Sequence, residues 1–183
     1  KITKNLVNNL SYKTHFIFFS SDKVYKGDKR IYTETSRTHP LGFYGKYKLN
    51  CESLIRKKFK KHHILRIPLV HFNGLDRNFS IIDRSIFLLK KKIKTKIFYN
   101  VKRCFVNLDQ LVNFIPKLLK NKKYGTYNIG SKSCSYSSRI KKICYLNNIS
   151  YKKNLIEIKG FVKPVEMKLN TKKTLRNLKF KFT

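Results

Sequence analysis

The sequence predicts an α/β fold built around a parallel sheet, and two apolar segments carry most of that prediction. Residues 16–19 are four consecutive apolar residues, too few for a helix and rich in β-favouring aromatics, and they end on Ser20, Ser21 and Asp22. A second apolar run, residues 63–70, follows a segment of helical spacing. Continuous apolar runs are typical of buried parallel strands, and open α/β sheets bind ligands at the carboxyl ends of their strands. The serines after the first run are therefore candidate site residues.

The other elements follow from periodicity and turn signals. Apolar residues at positions 2, 6, 7 and 10 have helical spacing, so a helix is expected before the first strand. Asn73-Gly74 predicts a turn, and Asp109 is expected to cap the helix that follows it. Further helices are predicted over residues 44–59, 78–89, 111–119 and 138–146, and a short strand over 97–99.

Tyr44 and Lys48 are the pair with the clearest chemical meaning. They lie four residues apart near the start of a predicted helix, which puts both on one face. A free tyrosine holds its proton too tightly to act as a base at neutral pH, and an ammonium one turn away stabilises the phenolate. Tyr44 would then serve as an acid or base, while the Ser21 hydroxyl could hold the same substrate oxygen. An ordinary surface pair on a lysine-rich helix is the alternative interpretation.

Three motifs in this stretch resemble the extended short-chain dehydrogenase/reductase family that acts on nucleotide sugars. They are Ser-Ser-Asp-x-Val-Tyr at residues 20–25, Tyr-x-Glu at 32–34, and Pro-x3-Tyr-Gly-x2-Lys-x3-Glu at 40–52. A bare Tyr-x3-Lys is weak by itself, and the upstream serines, the Tyr-Gly pair and Glu52 make the set specific.

The resemblance implies a fold and a domain organisation. The chain would be the C-terminal part of a Rossmann-type doubly wound parallel sheet plus a small α/β substrate-binding region. Residues 1–72 would belong to the NAD(P)-binding domain, and 73–183 mainly to the substrate region, with 97–120 returning to the first domain. The Gly-rich phosphate turn would lie upstream of residue 1, leaving an exposed sheet edge, so this chain alone could lack activity.

The resemblance also implies the site residues. The catalytic residues would be Ser21, Tyr44 and Lys48, and the cofactor NADPH or NADH. Cofactor contacts would come from Ser20, Tyr44, Lys48, Ile67 and Pro68. Substrate contacts would come from Ser21, Asp22 and Arg103. No metal is implied, and a homodimer is possible for the full-length protein.

Several later segments resemble the family at fewer positions. Arg103 opens a stretch similar to Arg-Asp-Phe-x-His-Val-Asp-Asp-Leu, whose arginine contacts the diphosphate of a nucleotide sugar, a task that suits a planar guanidinium. Residues 124–130 resemble a Tyr-Asn-Ile-Gly strand end, and 163–173 resemble a segment typical of dTDP-4-dehydrorhamnose reductases. Arg66 lies in a Leu-Arg strand motif, where a structural ion pair is an equally good interpretation.

The residue after Asp22 reduces the number of family reactions that this chain could catalyse. The dehydratases of this family have a glutamate there, and Lys23 cannot replace it as a base. Reduction of a 4-keto sugar by hydride transfer, with Tyr44 as proton donor, is the function predicted first. A nucleotide-sugar 4-epimerase is the alternative, and Leu69, where epimerases often have asparagine, slightly disfavours it. A non-catalytic remnant of the family is a further alternative.

The charge suggests a different partner. The net charge is +34, from 43 basic and 9 acidic residues, which is typical of proteins that bind polyanions. The chain contains no alanine and is rich in residues with A/T-rich codons, so gene composition explains the lysines without selection for nucleic acid. A basic nucleic-acid-binding module therefore stays an alternative; it would need exposed aromatics between the cations, whereas several aromatics lie in predicted buried strands.

Cysteine spacing and hydropathy predict the remaining properties. The four cysteines form no C-x-x-C pair, and the histidines show no metal-ligand spacing; the cysteines are Cys51, Cys104, Cys134 and Cys144. Reduced structural thiols in a cytoplasmic protein are therefore expected. No segment approaches the roughly eighteen apolar residues of a membrane span, so no membrane partner is expected.

Overall fold

The computed structural model of the chain describes residues 2–72, 79–160 and 166–183. Its helices are α1 (Ile2–Asn9), α2 (Phe43–Lys58), α3 (Ile81–Lys90), α4 (Leu108–Lys120), α5 (Tyr136–Leu146) and α6 (Lys172–Leu178). Its strands are β1 (Phe16–Ser21), β2 (Asp28–Tyr32), β3 (His62–Ile67), β4 (Leu69–His71), β5 (Thr95–Phe98), β6 (Lys102–Arg103), β7 (Phe105–Asn107), β8 (Gly125–Asn128), β9 (Cys134–Ser135), β10 (Leu155–Ile158) and β11 (Glu166–Leu169). Within the described ranges, no helix is both long and apolar enough to span a membrane.

A parallel sheet with the order β1-β3-β8 carries the first half of the predicted site. Ser21 at the end of β1 is paired in register with Ile67 at the end of β3. The carboxyl ends of these two strands therefore meet at one edge of the sheet, as the apolar runs predicted.

Helices cover both faces of this sheet. On one face α1 and α2 pack on β1 and β3 through a core that contains Val7, Phe18, Ile55 and Ile64. On the other face α4 and the C-terminal segment pack on β3 and β8 through a second core. Its buried members are Leu65, Ile67, Val106, Leu111, Phe114, Leu118, Tyr127, Ile129, Leu178 and Phe182. The expected α/β architecture with a doubly covered parallel sheet is thus present.

A second sheet has the order β2-β11-β6-β9, and the shorter pairs β4-β7 and β5-β10 complete the strands. Two elements lie across the predicted boundary at residue 72. Strand β2 belongs to the second sheet, although it precedes that boundary, and β8 belongs to the first sheet, although it follows it. The chain therefore crosses between the two sheets at both of these strands.

Three local predictions were wrong. Asp109 does not cap α4; the Asn107 side chain accepts the hydrogen bond from the Gln110 amide, and the helix begins at Leu108. Helix α3 begins at Ile81 because Ser80 caps it through the Asp83 amide. Phe19 was expected to be buried but is 46% exposed, since β1 is the edge strand of its sheet among the described residues. Asn73-Gly74 and residues 163–165 lie outside the described residues.

Candidate active site

The end of β1 presents two serine hydroxyls with different surroundings. Ser20 is buried and donates to Glu52 Oε1 at 2.6 Å. Ser21 Oγ accepts a hydrogen bond from the Lys23 amide at 3.2 Å and lies 3.4 Å from Asp22 Oδ1. A distance of 3.4 Å is long for an O–H···O bond. The Ser21 proton is therefore free to turn to another acceptor, whereas the Ser20 proton is committed to Glu52.

Helix α2 brings Tyr44 and Lys48 to the same strand end. The Lys48 ammonium donates to the Phe19 carbonyl at 2.8 Å and lies 5.6 Å from the centre of the Tyr44 ring. It also lies 4.9 Å from the Phe18 ring. Tyr44 is 58% exposed. The predicted pair thus shares one helix face directed at the end of β1.

Gly45 explains why the helix can approach so closely. A Cβ at this position would lie 2.3 Å from the Lys23 carbonyl oxygen and 2.9 Å from Pro40 Cβ. Only glycine leaves room for this contact between the first turn of α2 and the turn after β1. The Tyr-Gly pair of the sequence motif therefore has a steric reason.

Tyr44 and Arg103 line a common cavity of about 320 Å³, here called the Tyr44 cavity. Its lining residues are Lys23, Tyr25, Lys26, Gly27, Leu41, Gly42, Tyr44, Gly45, Arg103 and Met167. A larger cavity of about 700 Å³ lies on the second sheet. Its lining residues are Ile31, Tyr99, Lys102, Lys132, Ser133, Cys134, Ser135, Ser138, Glu166, Lys168 and Leu169.

Two predicted substrate residues, Asp22 and Arg103, form a buried ion pair. Arg103 Nη2 lies 2.7 Å from Asp22 Oδ2. Burial opposes the guanidinium charge, but the Asp22 carboxylate outweighs it and raises the pKa of Arg103. Arg103 Nε is buried and has no hydrogen-bond partner among the described residues. Arg103 therefore lines the cavity with its charge balanced by Asp22 and with its Nε enclosed by protein.

A buried polar network, whose contacts beyond the Arg66 ion pair sequence reasoning missed, holds this edge of the sheet together. Glu52 accepts from Arg66 Nη2 at 2.8 Å and from Arg66 Nε at 3.0 Å. Arg66 Nη1 donates to the Tyr25 hydroxyl at 2.7 Å, and that hydroxyl donates to Asn128 Oδ1 at 2.9 Å. Burial would raise the pKa of Glu52, but Arg66 and Ser20 lower it overall. Arg66 thus forms the structural ion pair that was one of its two interpretations.

The other predicted cofactor residues lie at the end of β3. Ile67 is buried in the core that α4 covers. Pro68 packs against Gly130, where a Cβ would lie 3.1 Å from Pro68 Cγ. The four cysteines are free, and the described residues contain no cluster of three His, Cys, Asp or Glu suited to a metal ion.

Comparison with known proteins identifies similar sequences and folds. The sequence model of the RmlD substrate binding domain matches residues 3–172. Methionine adenosyltransferase 2 subunit beta from Xenopus laevis is 38% identical over 55 residues, which are 30% of this chain and 16% of that protein.

Two solved structures illustrate the similarity of fold. The dTDP-4-dehydrorhamnose reductase from Bacillus anthracis, in complex with NADP, has a TM-score of 0.76 at 21% identity, over 88% of this chain and 58% of that one. The UDP-glucuronic acid 4-epimerase from Bacillus cereus, in complex with NAD, has a TM-score of 0.78 at 21% identity, over 100% and 59%. The expected Rossmann-type fold is confirmed, and the chain spans less than two thirds of either protein.

Proposed function

Because the chain belongs to the RmlD substrate binding domain family, we propose that it carries the catalytic residues of a nicotinamide-dependent nucleotide-sugar oxidoreductase. The reaction is the reduction of a 4-keto sugar with Tyr44 as the proton donor. One observation supports this assignment above the others: the Lys48 ammonium is fixed between the Phe19 carbonyl and the Tyr44 ring at the end of a parallel strand. An ordinary surface pair would not be tied to the strand in this way.

The donor set at this strand end fits a nicotinamide nucleotide. An ammonium has three donors, and the Phe19 carbonyl takes one of them, so Lys48 can also bind the ribose hydroxyls. Tyr44 would contact the same ribose, and Ile67 and Pro68 would contact the nicotinamide ring. Bound NADPH or NADH supplies the hydride for the reduction. The Ser20 hydroxyl, committed to Glu52, contributes by holding the strand end rather than by binding the cofactor.

Residues of this chain carry out the proton transfer. Tyr44 donates its phenolic proton to the oxygen of the carbonyl as that oxygen becomes an alkoxide. The Ser21 hydroxyl donates a hydrogen bond to the same oxygen and stabilises its growing charge. Lys48 stabilises the phenolate that Tyr44 leaves behind. Since Tyr44 is exposed at the cavity mouth, solvent can return its proton.

Arg103 and Asp22 act on the substrate. The Arg103 guanidinium is fixed by Asp22 at the wall of the Tyr44 cavity, where it can meet a phosphate oxygen of the substrate. A planar guanidinium binds two oxygens of a diphosphate at once. Asp22 therefore orients Arg103 for the nucleotide part of the substrate.

Replacement of Tyr44 by phenylalanine tests the assignment. In the longest polypeptide that the gene encodes, we expect Tyr44→Phe to lower turnover of a nucleotide-linked 4-keto sugar by about 100-fold or more. Affinity for the nicotinamide nucleotide should stay within about twofold, because the ring remains. Tyr47→Phe, on the same helix and 45% exposed, is the matched control and should keep full activity. Full activity of Tyr44→Phe would rule out its role as proton donor.

The same assay separates reduction from epimerisation. A reductase consumes one nicotinamide nucleotide for each sugar that it converts. An epimerase returns the hydride and consumes none. Oxidation of NADPH or NADH in proportion to product would support the reductase, and conversion without net oxidation would support the epimerase.

A further inference from the structure

Arg139 on α5 differs from the other buried arginines of the described chain in its counter-charge. Arg66 is paired with Glu52, and Arg103 is paired with Asp22. Arg139 is 6% exposed, and no carboxylate side chain among the described residues forms an ion pair with it. Burial lowers the pKa of its guanidinium, which is the reverse of the shift at Arg103. A buried cation of this kind is costly unless an anion binds it.

Neutral groups fix the Arg139 guanidinium. Nδ1 of His71 donates to the Phe72 carbonyl, so Nε2 of the same ring is the acceptor. Arg139 Nε and Nη2 donate to that Nε2 at 3.1 and 2.8 Å, and Nη2 also donates to the Thr183 carbonyl at 3.1 Å. The ring centre of Phe105 lies 5.8 Å from the guanidinium carbon. Among the described residues Nη1 has no acceptor, and it is not one of the enclosed unpaired atoms, so both of its N–H groups remain available.

Arg139 lines a cavity of about 330 Å³, here called the Arg139 cavity. Three exposed lysines line it as well, and no aspartate or glutamate is among its described lining residues; the lysines are Lys132, Lys142 and Lys181. Asp109 lines a neighbouring cavity of about 250 Å³ and not this one. The Arg139 cavity shares no lining residue with the Tyr44 cavity, so the two are separate sites.

Two serine hydroxyls in the same lining have protons that no described group accepts. Ser133 Oγ is enclosed and has no hydrogen-bond partner among the described residues. Ser138 Oγ accepts from Ser135 Oγ at 2.8 Å, which leaves its own proton available. Enclosed hydroxyls are normally hydrogen-bonded, so the Ser133 donor is suited to a ligand. The cavity therefore combines cationic and hydroxyl donors without an anion of its own.

We propose that the Arg139 cavity binds a phosphate group, held by Arg139 Nη1, the Ser133 hydroxyl and the exposed lysines. Four cations and two hydroxyls exceed what a carboxylate, with one charge and two oxygens, can satisfy. A phosphate monoester has nearly twice that charge and three strongly accepting oxygens. A volume of about 330 Å³ is at the small end of ligand sites and leaves room for a small organic group on the phosphate.

Calorimetry on the longest polypeptide that the gene encodes tests the proposal. The probes are inorganic phosphate and glucose 6-phosphate, with glucose as the uncharged reference, at pH 7.5 and about 0.15 M ionic strength to screen exposed charges. We expect saturable binding of the two phosphate probes at one site and no binding of glucose. Tighter binding of glucose 6-phosphate would identify a phosphate monoester as the ligand, and equal binding would identify the free ion.

Variants of the lining locate the site. Arg139→Met should abolish phosphate binding, and Lys142→Met should weaken it about tenfold, the loss of one charge-assisted hydrogen bond. Ser133→Ala should weaken it about threefold to tenfold through the loss of a neutral donor. Lys57→Met is the matched control, because it removes an exposed lysine of α2 outside the cavity, and it should bind as wild type does. If Arg139→Met does not fold, the other two variants decide the question.

Three results would overturn the proposal in distinguishable ways. Equal losses in Lys57→Met and Lys142→Met would attribute the binding to the net charge of +34 and not to this cavity. Acetate that binds as tightly as phosphate would show that the cavity does not select a phosphate group. Absence of phosphate binding by the folded wild-type protein would refute the site itself, and the proposed function would be unaffected because it depends on another cavity.

Discussion

At the scale of single residues, Glu52 connects the parts of the candidate site. Its carboxylate holds the Ser20 hydroxyl at the end of β1, lies on the helix that carries Tyr44 and Lys48, and binds Arg66 of β3. Ser20, Glu52 and Arg66 are all buried, so the Ser20 hydroxyl depends on Glu52 for its acceptor and the Arg66 guanidinium depends on Glu52 for its counter-charge. The site geometry therefore rests on one buried ion pair as much as on packing.

Glu52→Gln tests this dependence. The variant leaves Arg66 as a buried cation without its carboxylate, which costs about 3–5 kcal/mol of unfolding free energy. Glu157→Gln is the control, because Glu157 pairs with Lys141 at 2.7 Å where both side chains are 39% exposed. An exposed pair contributes less than about 1 kcal/mol. Urea unfolding measures both, and equal losses would contradict the role given to Glu52.

Some site residues could be predicted from the sequence and others could not. Tyr44 and Lys48 are neighbours on one helix, so their spacing alone brings them together. The Tyr25 to Asn128 hydrogen bond joins residues 103 apart in the chain, and no local pattern encodes that contact. Arg103 and Asp22 were predicted separately as substrate residues, but their ion pair depends on how the second sheet packs on the first.

At the scale of elements, the contact between α2 and the turn after β1 positions the site. The helix has glycine at its N-cap and again at position 45, and only the second is in close contact. A Cβ on Gly42 would meet nothing within 4 Å, whereas one on Gly45 would lie 2.3 Å from the Lys23 carbonyl oxygen. The same residue type therefore has two different roles within one turn.

Gly45→Ala separates helix propensity from packing. Alanine favours helix by about 1 kcal/mol over glycine, so propensity alone predicts stabilisation. We expect the opposite, a loss of about 1–3 kcal/mol, because the added methyl group forces the helix away from the turn. Gly42→Ala should change stability by less than about 1 kcal/mol, the cost of a weaker N-cap. A Gly45→Ala protein as stable as wild type would show that this contact is not tight.

Element types were predicted better than element ends or partners. The apolar runs identified β1 and β3 because buried parallel strands are continuously apolar. The start of α4 was missed because Asn107 and Asp109 are both good capping residues, and only the backbone decides between them. The pairing of β2 with β11 joins segments more than 130 residues apart, as Asp28 opposite Glu166 illustrates, and periodicity contains no information on such partners.

At the scale of the whole molecule, buried histidines link stability to pH. His63 is fully buried, and its Nδ1 lies 2.8 Å from Nε2 of His15. Burial first, and His15 second, lower the pKa of His63 from 6.5 to about 4. The folded protein therefore keeps His63 neutral at pH values where the unfolded chain takes up a proton.

Stability is accordingly expected to rise with pH between about 4 and 6.5 and to level off above that range. In this window the unfolded state binds more protons than the folded state. The free energy of unfolding therefore rises with pH, by roughly 2 kcal/mol in total. The lowered pKa of Glu52 acts below pH 4.5, so pH 5 to 6.5 isolates the histidines. Urea midpoints across this range measure the slope, and His63→Phe should reduce it, since His15 and His71, whose pKa values burial also lowers, contribute the remainder. An unchanged slope in that variant would exclude His63 as the cause.

The proposed function depends on whether the strand end with Lys48 binds a nicotinamide nucleotide. The direct measurement is a fluorescence titration of NADPH and NADH into the longest polypeptide that the gene encodes. We predict saturable binding of at least one nucleotide, weakened about tenfold or more in Lys48→Met, the loss of one or two charge-assisted hydrogen bonds. The control is Lys46→Met, because the Lys46 ammonium lies 5.9 Å from the Phe43 ring on the same helix. This variant should bind the nucleotide as wild type does. No binding by the folded protein, or equal binding by Lys48→Met, would contradict the assignment of this site.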